Sequence, residues 1–224
     1  MRGRWGGNQG CENGEMQTAM QGRISSGGRN GLLAAAALGV ALLLPHEASA
    51  HMGTGLPGGF GSGFVHPLSG VDHMLAMVSV GIWGAFLGRP LVFALPMIFP
   101  AMMAVGGAAG MAGIGVPPVE MGIAVSVLVL GLMIALAVRA PVWIACLIVA
   151  VFALFHGYAH GAELPSAADP VGYSVGFVLA TGLLHIAGIG LGLAKVTRAG
   201  EIALRAVGGL IAGAGVWFLV AAIR

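Results

Sequence analysis

Charge is what this chain has least of. Asp, Glu, Lys and Arg make up 8% of its 224 residues, against about 25% in a soluble domain. A surface facing water cannot be built from so few. With 58% hydrophobic residues and a mean hydropathy of +0.95, the chain reads as a polytopic membrane protein. The net charge is only +2, and no basic cluster stands out along the sequence. Nothing therefore points to nucleic-acid binding. Cysteine is almost missing: Cys11 and Cys146 are too few for a Cys-based metal site. Neither HExxH nor a Walker motif occurs, so the chain is read as no enzyme, with no ATP hydrolysis of its own.

What is present starts with a targeting signal. Arg23 and Arg29 precede a short apolar run, Gly31 to Leu44, and Ala48-Ser49-Ala50 is a small-residue cleavage site. Residues 1–50 are read as a signal peptide cut after Ala50, and 51–224 as one transmembrane domain. The polar, Gly-rich leader ahead of Met20 is long for such a signal, which favours Met16 or Met20 as the start. After cleavage Cys146 is left alone, so no disulfide forms within a mature chain.

Six apolar segments follow, each near the ~20 residues that cross a bilayer. They run from Pro67 to Leu87, Pro90 to Ala112, Pro118 to Val138, Pro141 to His160, Val171 to Ala194 and Ile202 to Ile223. The fold class expected is an all-α membrane protein, a six-helix transmembrane bundle behind a signal peptide. Several segments begin at or just after proline, whose missing N–H costs nothing in a first helical turn. A cleaved signal puts the mature N-terminus outside the cytoplasm, and six spans return the C-terminus there. Arg89, Arg139, Lys195 and Arg198 then lie inside, while Glu120, Glu163 and Asp169 lie outside with Arg224 as the one basic residue there, a positive-inside pattern. The location expected is the bacterial inner membrane with both termini periplasmic. Glycine is abundant. Gly106-xxx-Gly110, Gly188-xxx-Gly192 and Gly209-xxx-Gly213 carry the spacing that lets helices approach closely in lipid. Three plus three spans would suit an inverted repeat, but the halves give no convincing sequence match.

Ionisable residues inside a span are rare and usually face a cavity or a partner. Here they fall into two groups. HPLSGVDH opens the first span with His66, Asp72 and His73. On one continuous helix, His66 and His73 lie within about 20° of each other. Asp72 is positioned either to ligate directly or to hold an imidazole from behind, and a proton-carrying role is open to it as well. Gly70 leaves room for a neighbour. FHGYAHGAE ends the fourth span with His156, His160 and Glu163, which share a stripe, and Gly157 and Gly161 thin the packing. Topology brings both groups, with Asp169 in the adjoining loop, to one depth near the outer side. Imidazoles with carboxylates suit Zn, Cu, Fe, Co and Ni. His185 in the fifth span lies deeper, as a second station or as a structural histidine bonded across helices. His51, once exposed, adds a free amine to its imidazole as a small outer chelator. Met74, Met77, Met97, Met102, Met103, Met111, Met121 and Met133 read mainly as core filler, with a soft-metal track as the alternative.

At HPLSGVDH and FHGYAHGAE the chain resembles the HupE/UreJ family of nickel permeases, which carry an HPxxGxDH-type and an FHGxAHGxE-type motif in this order. The segment Leu75 to Ala85 also fits the family's first span, and the likeness covers essentially all of residues 51–224. The resemblance implies uptake of divalent nickel, with cobalt as a second candidate, to supply a hydrogenase or urease. It implies metal contact at His66, Asp72, His73, His156, His160 and Glu163, less securely at His185, and a mature amino-terminal histidine at His51. No permanently bound cofactor is expected; the metal is cargo. Residues alone lead only to transition-metal transport. A haem-binding membrane protein, or a metal-binding accessory protein without transport, remains the alternative, and a homo-oligomer is open.

N-terminal sequencing of the membrane-inserted protein is expected to begin at His51. A chain retaining Gly31 to Leu44 in the membrane refutes the cleaved signal.

Overall fold

The computed structural model describes residues 58–115, 118–163 and 169–224, and within them all regular structure is helical. The signal segment and His51 lie outside these residues. The helices are α1 (Phe60–Ser69), α2 (Val71–Leu87), α3 (Leu91–Met111), α4 (Val119–Ala135), α5 (Val142–Glu163), α6 (Pro170–Gly192) and α7 (Arg198–Ile223), with a 3-10 turn, Leu193–Val196, after α6. Proline marks the starts as expected. Pro90 and Pro118 flank the first residues of α3 and α4, and Pro170 opens α6.

Six equal spans are not what the chain forms. Helices α3, α5, α6 with its 3-10 turn, and α7 are long and apolar enough to cross a membrane. The pair α1–α2 is bent by 83° and makes a fifth span if counted as one, while α4, with 17 residues, is shorter. The expected first span is thus broken in the middle of HPLSGVDH. Gly70 adopts an extended conformation (φ −89°, ψ 109°) and ends α1 as it starts α2. Two side chains satisfy backbone groups released by the break. Ser69 Oγ donates to the His66 carbonyl at 2.7 Å, and the His73 N–H donates to Asp72 Oδ1 at 2.8 Å. Gly70 therefore marks a break and is not a close helix contact: the atoms nearest an added Cβ belong to Asp72 and His73.

Glycine sets the helix pairs. A Cβ on Gly106 or Gly110 would strike the α5 backbone at Leu154 or Tyr158, and one on Gly157 or Gly161 the α3 backbone at Met103 or Gly107. Gly188 and Gly192 likewise meet α2 at Val78 and Ile82, and Gly63 and Gly176 join α1 to α6 at Tyr173 and Phe60. In α7 the expected pair is wrong. Gly209 and Gly213 have open space around them, whereas Gly208 and Gly215 press on α4 at Ala135 and Leu128. The spacing was right but the helix phase was not, and residues 209 and 213 face outward. The core, with Leu75, Met77, Trp83, Leu95, Phe99, Val127 and Leu130, lies between these pairs. Met77 and Met103 are buried while Met97 and Met111 are exposed, a scatter that fits filler better than a track.

Apart from Arg224 at the end of α7, the described cations collect at the end of the bundle opposite the HPLSGVDH motif. Lys195 Nζ donates to the carbonyls of Ala85 and Phe86 at the end of α2, and Arg205 Nε donates to Ala135 O at the end of α4 at 2.9 Å. Positive charge there complements the helix C-termini. Trp83 Nε1 donates to Val138 O at 3.1 Å and ties α2 to the connection between α4 and α5.

A Gly157→Val variant is expected to lose about 1–3 kcal/mol or more of stability, because its side chain collides with backbone. Gly213→Ala should be nearly neutral. Thermal unfolding in detergent compares them; equal melting would refute the backbone contact.

Candidate functional site

Gly157 and Gly161 hold one face of α5 against α3, and the residues beside them, His156 and His160, turn the other way. There they meet both halves of the broken span. The His160 ring lies 4.8 Å from His66 and 4.6 Å from His73, and His73 lies 4.7 Å from His156, all between ring centroids. Four of the expected residues thus form a continuous chain of imidazoles, His66–His160–His73–His156. His66 reaches it from α1 and His73 from α2, so the two do not share a helical stripe. The bend does what the single helix was expected to do.

Hydrogen-bond accounting fixes two tautomers. Asp72 Oδ1 accepts the His73 backbone N–H and lies 2.9 Å from His73 Nδ1. A carboxylate only accepts, so Nδ1 carries a proton, and in the neutral ring Nε2 is the bare nitrogen. Ser126 Oγ spends its one hydrogen on Ile123 O at 2.6 Å, and lies 2.9 Å from His156 Nε2. The hydroxyl must accept there, so His156 is protonated on Nε2 and bare on Nδ1. His73 Nε2, His156 Nδ1 and both nitrogens of His160 are buried without a hydrogen-bond partner. Buried polar atoms are seldom left so, and a bare imidazole nitrogen is a transition-metal ligand. Asp72 thus stands behind His73 and orients it, as carboxylates do behind metal-binding histidines.

The remaining candidates sit elsewhere. His185 is buried on α6 with both nitrogens unpartnered, but the Phe99 ring stands between it and the cluster, 5.3 Å from His185 and 5.5 Å from His156. Asp169 is exposed and caps α6, accepting from Gly172 N at 2.9 Å. Glu163 ends α5, and its side chain lies outside the described set. Among the described residues no three His, Cys, Asp or Glu side chains are disposed to hold one ion together. Asp72 and Ser126 hold the His73 and His156 rings, so shared ligation turns on rotation of His160, whose two nitrogens bond to nothing. Ser126 is the residue that sequence reading missed. Its signal was a lone hydroxyl inside an apolar helix, where polar side chains usually bond across helices. Phe177, 4.4 Å from His160, and Tyr173, 5.9 Å from His66, wall the cluster on the α6 side.

The family model described as "HupE / UreJ protein" matches residues 38–218. The curated "Protein HupE" of Rhizobium leguminosarum bv. viciae is 45% identical over 180 residues, covering 80% of this chain and 94% of that protein. No solved structure matches.

In 15N-histidine spectra of the purified protein, His73 is expected as the Nδ1–H tautomer and His156 as Nε2–H. Ser126→Ala should turn His156 into a tautomer mixture and leave His73 unchanged. An unaltered His156 signal would refute the hydroxyl's role.

Proposed function

The chain belongs to the HupE/UreJ family, and from that premise we propose that it imports divalent nickel, with cobalt as second cargo, for maturation of a nickel enzyme such as a hydrogenase or urease. The carrying observation is the set of unpartnered imidazole nitrogens gathered from α2 and α5 at one end of an otherwise apolar bundle. In this reading the ion sheds water to His66, His160, His73 and His156, Asp72 and Ser126 hold the ligands' tautomers, and Glu163 and His51 add donors at the entrance. His185, beyond Phe99, receives the ion on the way in. The metal is substrate, with no resident cofactor.

The proposed setting is the bacterial inner membrane, with residues 1–50 removed and six membrane passes, counting the bent α1–α2 pair and the short α4. Arg89, Arg139 and Lys195 line one cleft at the opposite end from the histidines, which supports an inward-facing cationic end. An inside-negative potential favours entry of a divalent ion by about 4.6 kcal/mol per 100 mV, twice the single-charge value. Ligands engaged in pairs suit transport, since a site that binds too tightly would stop flux. A haem reading fits poorly: His73 and His156 stand edge to face at 4.7 Å, with no space between them for a porphyrin. An accessory protein that binds metal without moving it is the reading that flux must separate.

Nickel uptake into metal-starved cells is expected for the wild type and lost in His156→Ala, with Asp72→Asn strongly reduced at matched membrane abundance. Wild type and variants equal at background, for nickel and then cobalt, would sink the transport reading and leave the binding one.

A further inference from the structure

The glycine contacts repeat. Gly106 of α3 meets Leu154 of α5, and Gly188 of α6 meets Val78 of α2; Gly110 meets Tyr158, and Gly192 meets Ile82. Gly157 meets Met103, and Gly81 meets His185. Going from α3 to α6, positions 103, 106 and 110 become 185, 188 and 192, always 82 residues on. Going from α2 to α5, positions 78, 81 and 82 become 154, 157 and 158, always 76 residues on. The third pair maps onto itself. Gly131 meets Ala212, and the antiparallel contacts Gly208–Ala135 and Gly215–Leu128 lie on either side. Exchanging α2, α3, α4 with α5, α6, α7 therefore preserves these close backbone contacts between the major pairs. Three spans per half invert the second half relative to the first.

The exchange is not exact: α2 packs on α4 while α5 and α7 stay apart, and the joint between the first two helices of each half differs as well. Gly84 of α2 packs on the start of α3, where an added Cβ would lie 3.2 Å from Leu91 O and 3.4 Å from Val92 Cα. The matching positions in the second half are His160, Tyr173 and Ser174. Those residues instead line a cavity of about 230 Å³. The backbones of α2 and α3 pack together, whereas those of α5 and α6 stand apart and meet through side chains such as His160 and Phe177. The same joint is closed at the cationic end and parted at the histidine end. Beneath the closed joint lies a cleft of about 420 Å³, lined by Phe86, Leu87 and Leu91 with Arg89, Arg139 and Lys195. Leu91 belongs to both the joint and the cleft.

We propose that the chain is an inverted structural repeat, and that the Gly84–Leu91–Val92 joint is the inner gate for the metal, the counterpart of the parted joint beside His160. This rests on the transport reading above. The structure is then the outward-facing member of a pair. Exchanging the two joint geometries closes the outer cavity on the ion and opens α2 from α3 into the cationic cleft. Positive side chains there repel a divalent ion, so the cleft is an exit and not a second store.

The test places cysteines at Gly84 and Val92 in the full chain, in a Cys146→Ala background. Oxidation is expected to abolish nickel uptake and reductant to restore it, while calorimetry on the purified, crosslinked protein still finds nickel bound. Undiminished uptake in fully crosslinked protein overturns the gate. A reduced pair and a Cys146→Ala parent that both carry no nickel or cobalt would count against transport itself. The gate is then decided on wild-type protein by hydrogen exchange with and without nickel. Exchange should rise across residues 84–93 and fall across 157–177. Changes of the same sign, or none, overturn the alternating joints, whether or not the cysteine variant folds.

Discussion

Everything at the histidine cluster depends on a contact made without side chains. Gly157 and Gly161 let the α5 backbone lie on that of α3. In lipid there is no hydrophobic force to draw helices together, so close packing of this kind carries the association. A helix pinned backbone to backbone has little freedom to rotate. His156 and His160, each one residue before a glycine, are therefore held toward α1 and α2. The sequence HGxxHG couples each histidine to the small residue that aims it. The same economy appears on α6, where His185 presents its backbone carbonyl to Gly81 and its ring to Phe99.

The break at Gly70 matters for the same reason. One straight helix offers a single stripe of side chains, and His66 and His73 on it would lie about two turns apart. Bending the chain by 83° brings α1 alongside α6 and lets His66 approach His160 from another direction than His73. Irregular backbone at membrane depth is tolerated only where its polar groups are satisfied. Here Ser69 and Asp72 do so, and Asp72 also orients His73. HPLSGVDH thus combines a helix break with two histidines of the cluster in seven-residue reach, and Ser69 and Asp72 satisfy the break.

Much of this was legible beforehand. Scarce charge and long apolar runs gave the membrane class, proline gave helix starts, and the two motifs gave the four histidines that the fold brings together. Three things were not legible, for identifiable reasons. Gly70 reads equally well as a packing glycine or as a break, and only tertiary context decides. Gly209 and Gly213 keep the small-residue spacing but point outward, because spacing does not fix which face of α7 meets α4. Ser126 is thirty residues from His156, and a lone serine carries no spacing pattern to attach it to anything. The repeat was hidden likewise. It is written in backbone contacts among small residues, not in matching side chains.

That mismatch between symmetric backbone and asymmetric side chains has a consequence for direction. Under the exchange of halves, His73 corresponds to Val149, His156 to Val80 and His160 to Gly84. Val149 and Val80 are fully buried core residues. The scaffold offers the same geometry at both ends, yet only one end carries ligands. An ion delivered to the other end meets apolar side chains, backbone and three cations, none of which competes with water for it. Dehydration is compensated on the side where imidazoles replace the hydration shell, and rehydration is favoured on the side where nothing does. The membrane potential acts on the double charge in the same sense. Under the proposed transport and repeat, capture and release are separated by which half bears the histidines, without any one site needing high affinity.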